Sequence, residues 1–459
     1  LDAYNQFIKE SGIKAFDLEH RKKINFNISK YDSAVLNGKK QYQDLDKARK
    51  RAGFIKYKVL NDLDKYLIQF EDNFNANGGK IIWAQDKKEA LKEILEIVKE
   101  NQIKKVVKTK SMTTEEIDLN DTLEKKKVES IETDLGEYIV QLAGEKPYHI
   151  VTPAMHKSKE DIAFLFNEKF NTDINLSPEE LTDFVRKLLK EKFIEADLGI
   201  SGANFLIANI GGISLTENEG NGMMTMAFPK IHIVIAGIEK MIPKLSDLDL
   251  FLPLLATHGT GQNISVYNSI VTGPRKTDEN DGPEKMYLVL LDNKRTDLLA
   301  QDRQRQALSC IRCGACLNIC PVYKTIGGHA YKTTYSGPIG AVINPFMIDF
   351  KEYKHQSFAS TLCGKCTEVC PVNIPLHELL LVNRNDTVKK KYYSGKEKFI
   401  INFWKQSMLS RKKLDMLGGK SKNLLLKQFF KKSWGTHREL PKVEEKSFQK
   451  LWKEQNIRE

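Results

Sequence analysis

All seven cysteines of this 459-residue chain fall between positions 310 and 370. The first run, CIRCGACLNICP, sets Cys310, Cys313, Cys316 and Cys320 before Pro321; the second, TLCGKCTEVCP, sets Cys363, Cys366 and Cys370 before Pro371. Thiolates separated by two residues wrap one corner of an iron-sulfur cluster. A fourth, three residues on and followed by proline, is the two-cluster bacterial ferredoxin arrangement, in which that last cysteine serves the other cluster. Crossed ligation therefore gives Cys310, Cys313, Cys316 and Cys370 to a complete first 4Fe-4S cluster. The second receives Cys320, Cys363 and Cys366, and the position three residues before Cys363 is Ser360. That centre is either a 3Fe-4S cluster or a 4Fe-4S cubane whose last iron takes a serine, water or another exogenous ligand. Zinc also binds thiolates, but needs neither paired prolines nor an interlocking seven-cysteine pattern. The segment 321–362 between the runs is too long for a compact ferredoxin turn and predicts a mainly helical two-cluster module.

Other candidate site residues lie upstream. In VVKTKSM, Lys108 and Lys110 end a predicted strand and Ser111 opens a helix, where α/β sheets present ligands and a helix N-terminus favours anions. An α-hydroxy carboxylate fits such a place; alternating lysines that merely solvate a strand edge are the alternative. Asp134 and Glu137 follow the strand VESIET and are suited to pair with those lysines, although Asp134 is equally suited to cap a helix. The turn in SLTENEGNG carries Glu217, Glu219, Gly220 and Asn221, where glycine permits close approach to a ligand. Glu217 reads as a loop acid rather than a nucleophile, since no base accompanies it. His149 and His156 in HIVTPAMH are of a type that serves as a base, but histidines beside strands more often pack or hydrogen-bond. No G-x-G-x-x-G fingerprint follows a strand and no P-loop occurs, so nothing warrants a tightly bound flavin or nicotinamide.

These residues need elements to hold them. Residues 1–70 read as an amphipathic helical lead-in, with apolar residues three and four apart. From 71 to 295, apolar strands (KIIWA, KKVVKT, VESIET, YHIVTP, HIVIAGI, MYLVLLDN) alternate with helices, which predicts an α/β domain with a mostly parallel sheet. A helix over about 296–309 leads into the two-cluster module, 296–384, and a basic helical region, 385–459, closes the chain. A chain of this length exceeds one hydrophobic core, so several domains are expected.

No run approaches the ~18 apolar residues of a membrane helix. The first residues, LDAYNQFIKESGIKAF, hold no apolar signal region, and crowded, odd-numbered cysteines suit metal rather than disulfides, so the cytoplasm is the expected compartment. The formal charge of +12 is concentrated: residues 381–459 hold 21 Lys and Arg against 8 Asp and Glu. There, basic clusters at Lys389–Lys391, Arg411–Lys413 and Lys431 with Lys432 punctuate apolar patches such as FIINFW. Docking to an acidic partner is the leading expectation, with a solvated helical surface or peripheral contact with an anionic membrane as alternatives; nucleic acid is not expected.

Several long colinear stretches carry a resemblance: VVKTKSMTTEEIDLN, ETDLGEYIVQLAGEKPYHIVTPAMHK, GISGANFLIANIGGISLTENEGNG and LCGKCTEVCPVNIPLHELL, besides the first cysteine run. They resemble the iron-sulfur protein B family of the three-component L-lactate utilisation system, over nearly the whole chain. The resemblance implies an electron-transfer subunit acting beside two partner subunits in oxidising L-lactate to pyruvate, with an electron acceptor that the sequence does not name. It also implies an α/β lactate-utilisation domain with a fold similar to sugar-phosphate isomerases and CoA transferases. Readings of another kind are a stand-alone isomerase or CoA-transferase-like enzyme, and an iron-sulfur sensor.

Overall fold

The structure, a computed structural model, describes residues 2–435 and 438–456. The first residue of the expected lead-in and the last three of the expected tail lie outside the described residues. One compact unit ends at Asp386 and a second begins at Thr387.

The first unit is built on ten strands: β1 (Lys80–Ala84), β2 (Lys105–Lys108), β3 (Glu129–Glu132), β4 (Leu198–Ser201), β5 (Phe205–Ile207), β6 (Gly212–Glu217), β7 (Ile231–Gly237), β8 (Met241–Ile242), β9 (Tyr267–Val271) and β10 (Lys285–Leu291). Six form a parallel sheet in the order β1-β10-β7-β4-β2-β3. β7 reads IHIVIAG because it is buried along its whole length, as strands covered on both faces must be. The alternation of β10 divides the two layers. Val289 and Leu291 meet Ala90 and Ile94 of the helix Lys87–Glu100, while Leu288 and Leu290 meet Phe70 and Phe74 of the helix Leu63–Ala76. Strand order reverses between β2 and β4, the position where open parallel sheets leave a crevice at their carboxyl ends. A second sheet, β8-β5-β6-β9, is mixed: β6 pairs antiparallel with β5 and β9, and β5 pairs parallel with β8.

The N-terminal segment is helical as expected: Ala3–Phe16, Leu18–Gly38, Leu45–Asn61 and Leu63–Ala76, three of them capped by Asp2, Asp17 and Asp44. It is not merely a lead-in. Phe7, Ile24, Ile28, Ala52 and Leu60 share one buried cluster with Cys313, Cys316, Cys320, Cys366 and Cys370.

Two expected elements differ. YHIVTP forms no strand: the Nδ1 of His149 accepts the backbone N–H groups of Val151 and Thr152 at 3.1 and 3.2 Å, folding the segment into a turn. The helix expected over 296–309 is broken into a short helix, Arg295–Leu299, and a 3₁₀ segment, Gln304–Ser309. Arg295, at the start of the short helix, is buried and held by Glu239 and Glu116.

Around the cysteines the chain is helical, with Ala315–Ile319, Pro321–Ile326, Gly337–Met347, Phe350–Phe358 and Lys365–Glu368. The second unit is also helical. Its longest helix, Gly395–Met408, leaves Phe399, Phe403 and Trp404 exposed. No helix among the described residues is long and apolar enough to cross a membrane.

Candidate metal centre

The two cysteine runs fold as copies of one another. Arg312 and Leu362, each before a cysteine, have φ of 61° and 55°, and Gly314 and Gly364, each after it, have φ of 80° and 82°. Only glycine adopts that left-handed geometry without strain, which accounts for the Cys-Gly pair in both runs. A short helix then opens. Leu317 N–H donates to Gly314 O at 2.9 Å and Thr367 N–H to Gly364 O at 2.9 Å; Cys320 N–H donates to Leu317 O at 3.1 Å and Cys370 N–H to Thr367 O at 3.2 Å. Pro321 and Pro371 follow.

Cys310, Cys313, Cys316 and Cys370 line one small cavity, walled by Ile150, Ile339, Ile374 and other apolar side chains. Burial pushes the thiols of Cys313, Cys316 and Cys370 upward, Cys370 to about 11, and charge on Cys310 pushes each further. The same holds within the other set, where burial and then charge on Cys320 raise Cys366 to about 11. Exposed Cys363 is instead lowered, first by the Lys365 backbone N–H. Cys313, Cys316 and Cys370, whose ionisation burial suppresses in a dry cavity, are poor free thiolates. They suit a multiply charged iron core that neutralises them. Backbone donors are already aimed at sulfur, Arg312 N–H to Cys310 Sγ at 3.4 Å and Ile374 N–H to Cys370 Sγ at 3.3 Å. The donor set fits iron-sulfur clusters.

A buried charged network adjoins Cys310. Lys56 Nζ donates to the backbone carbonyls of Glu239 and Met241 at 2.6 and 3.1 Å, and burial pulls its pKa down to about 7. Burial likewise lowers Lys240 to about 8. Against burial, which alone would raise it, Arg295 and Arg312 hold Glu239 at about 2. Arg312 also stacks over Tyr335, 4.3 Å from the ring centroid.

A cavity of about 360 Å³ opens beyond the carboxyl ends of β2, β3 and β4. Of the residues singled out in the sequence, Lys110, Asp134, Glu217, Glu219 and Asn221 line it. Lys110 Nζ donates to Val151 O at 2.8 Å and lies 3.7 Å from Asp134. Asp134 caps the helix Leu135–Leu142, and Asn221 donates to Thr133 Oγ1 at 3.2 Å. Both carboxylate oxygens of Glu217 accept backbone N–H groups, from Gly222 at 2.6 Å and Met223 at 2.9 Å.

Lys108, Ser111 and Glu137 do not line the cavity. Lys108 is buried and 2.7 Å from Glu132, Glu137 is buried behind that pair, and Ser111 caps the helix Met112–Glu116. His149 is buried as a turn acceptor, and His156 Nε2 lies 2.5 Å from Glu145. Residues that the sequence did not single out for this site also line the cavity: Asn204, Tyr31, Thr152 and Arg312. Arg312 sits within the first cysteine run. Tyr31 and Thr152 carry no local signal. Burial, then the charge of Asp134, raises Glu219 to about 7. Cys313 stands in the walls of both the cysteine cavity and this larger one.

Two family models match segments of the chain. Residues 67–291 match the LUD domain, and residues 306–374 match the 4Fe-4S dicluster domain. A solved duf162 family protein from Deinococcus radiodurans aligns over 50% of this chain and 98% of its own, at 12% identity and a TM-score of 0.29. Lactate utilization protein B of Bacillus pumilus is 43% identical over 357 residues, covering 78% of this chain and 75% of that protein. The Bacillus velezensis protein of the same name is 46% identical over 344 residues, covering 75% and 72%. At this identity and coverage, the chain belongs to the Lactate utilization protein B family.

Proposed function

We propose that the chain is the iron-sulfur electron-transfer subunit of a multi-component system that oxidises L-lactate to pyruvate. The observation that carries this reading is Cys313, which lines both the cysteine cavity and the polar cavity at the carboxyl end of the sheet. A molecule bound at Lys110, Asp134, Glu217, Asn221 and Glu219 would rest against a cluster ligand. The relatives' name, lactate utilization protein, supplies the substrate class.

In this reading Cys310, Cys313, Cys316 and Cys370 hold one cluster, and Cys320, Cys363 and Cys366 hold the other. Bound there, the clusters supply one-electron storage and transfer. The chain's own residues do the rest. Apolar walls around the first set exclude water. Lys56, Lys240 and Arg312 offset the negative charge that four thiolates bring, and Glu219, near neutral pH, exchanges a proton with whatever the larger cavity holds. The reading includes two partner subunits, a cytoplasmic location, and a basic C-terminal region that docks an acidic partner or an anionic membrane surface.

A stand-alone CoA-transferase-like enzyme is disfavoured at Glu217, where each carboxylate oxygen already accepts a backbone N–H, which holds the group in place and weakens it as a nucleophile, and no base stands beside it in the turn. The test is anaerobic purification with iron and sulfide analysis and electron paramagnetic resonance, then addition of L-lactate with the partner subunits present. Reduction of the clusters by lactate is expected. An iron-loaded complex that lactate leaves oxidised would overturn the role.

A further inference from the structure

We infer that Ser360 Oγ is the fourth protein ligand of the second cluster, making it a four-iron centre. This deepens the cluster reading above and rests on it.

The inference comes from the duplicated backbone. Ser360 precedes Cys363 by the same three residues that separate Cys310 from Cys313. The match is structural as well: Arg312 N–H donates to Cys310 Sγ at 3.4 Å, and Leu362 N–H donates to Ser360 Oγ at 3.1 Å. In both runs the donor is a non-glycine residue in the left-handed region, a costly conformation that points its N–H back at the side chain two residues earlier. From Arg312 to Cys320 and from Leu362 to Cys370, the turn and helix hydrogen bonds agree to within about 0.1 Å. If Cys310, Cys313 and Cys316 take three corners of one cubane and Cys370 the fourth, the same operation gives Ser360, Cys363 and Cys366 three corners of the other, with Cys320 the fourth.

The chain also fixes Ser360 from behind. Arg384 Nη2 donates to the Ser360 carbonyl at 3.1 Å and its Nε to the Ser357 carbonyl at 2.9 Å. One lone pair of Oγ accepts the Leu362 N–H, which leaves the other free for a metal. On ligation the Ser360 O–H bond breaks and an O–Fe bond forms. The proton leaves to solvent with the water displaced from that iron, and no electron moves. An alkoxide is a harder donor than a thiolate and favours ferric iron, so the two clusters, alike in backbone, would differ in potential through this one atom.

The test uses the full-length chain, purified and reconstituted without air, as wild type, Ser360→Ala and Ser360→Cys. Iron content, Mössbauer and electron paramagnetic resonance spectra are read before and after mild oxidation. Wild type is expected to hold four irons in each cluster. Ser360→Ala should lose one iron from the second cluster on oxidation, yielding a three-iron signal, and Ser360→Cys should hold it while shifting that cluster's spectrum alone. A wild-type second cluster isolated with three irons, or a Ser360→Ala chain with wild-type spectra and iron retention, would overturn the inference while leaving the first cluster standing. A folded chain without iron would instead overturn the cluster reading itself.

Discussion

Lys108 Nζ and Glu132 Oε1 lie 2.7 Å apart between the paired strands β2 and β3, both buried. Glu115 and Glu137 stand within 3.7 and 3.9 Å of the same ammonium. Burial alone would depress the Lys108 pKa, but the three carboxylates raise it instead. Lys108→Met would leave those acids without a cation in a dry interior, where breaking one side of a buried pair costs about 3–5 kcal/mol. Urea unfolding should show that loss with iron content unchanged; a midpoint within error of wild type would refute it.

Sequence could not separate Lys108 from Lys110. Lys108 ends β2 and Lys110 stands two residues on, and what distinguishes them is burial: Glu132 of β3 and Glu137 of the helix after it enclose Lys108, whereas Lys110 reaches the cavity. The cysteines were legible because their chemistry is written in local spacing. The parallel sheet was legible because buried strands such as IHIVIAG are apolar throughout. The partnership of the N-terminal helices with the cysteine module was not, since amphipathicity shows that Ile24 and Ala52 are buried but not against what. Tyr31 and Thr152 reach the larger cavity from segments far apart in the chain, and no pattern within either announces it.

Glu219 should make stability depend on pH. Burial and the charge of Asp134 raise its pKa from 4.5 to about 7 in the folded chain. Between those values the native state binds more protons than the unfolded state, so stability falls as pH rises through the window and is flat above it. Glu219→Gln removes this slope while keeping an acceptor for the Leu135 N–H. Relative to wild type, the variant should gain on the order of 1–3 kcal/mol between about pH 4.5 and 7. Thermal unfolding at closely spaced pH values would check this; parallel profiles would count against the assignment.

Arg49 ties an N-terminal helix to the second cysteine run. Its Nε donates to the Cys370 carbonyl at 2.9 Å and its Nη2 to the Thr367 carbonyl at 3.3 Å. Arg49→Ala would leave both carbonyls short of a donor, a cost of about 1–3 kcal/mol. That cost falls on the loop carrying a ligand of the first set. Iron release to a chelator, followed by absorbance, should therefore be faster than in wild type with secondary structure unchanged, and an unaltered rate would show that the clamp does not bear on the metal.

Crossed ligation makes a prediction that uncrossed ligation reverses. Cys370 shares its cavity with Cys310, Cys313 and Cys316, whereas the thiol of Cys366 is raised by burial and then by charge on Cys320 and Cys363. Cys370→Ala should therefore damage the first cluster even though it changes the second run, and Cys320→Ala should damage the second cluster although it changes the first. Cys370→Ala leaves three cysteines of its set in place, so conversion to a three-iron form is expected before complete loss; Cys320→Ala leaves only Cys363 and Cys366 beside Ser360, so the second cluster should be lost outright more readily. The two clusters are distinguishable because only the second is altered by Ser360→Cys. If Cys370→Ala and Ser360→Cys perturb the same spectral component, each run would bind its own cluster, and the duplicated backbone would reflect two independent sites rather than one interlocked pair.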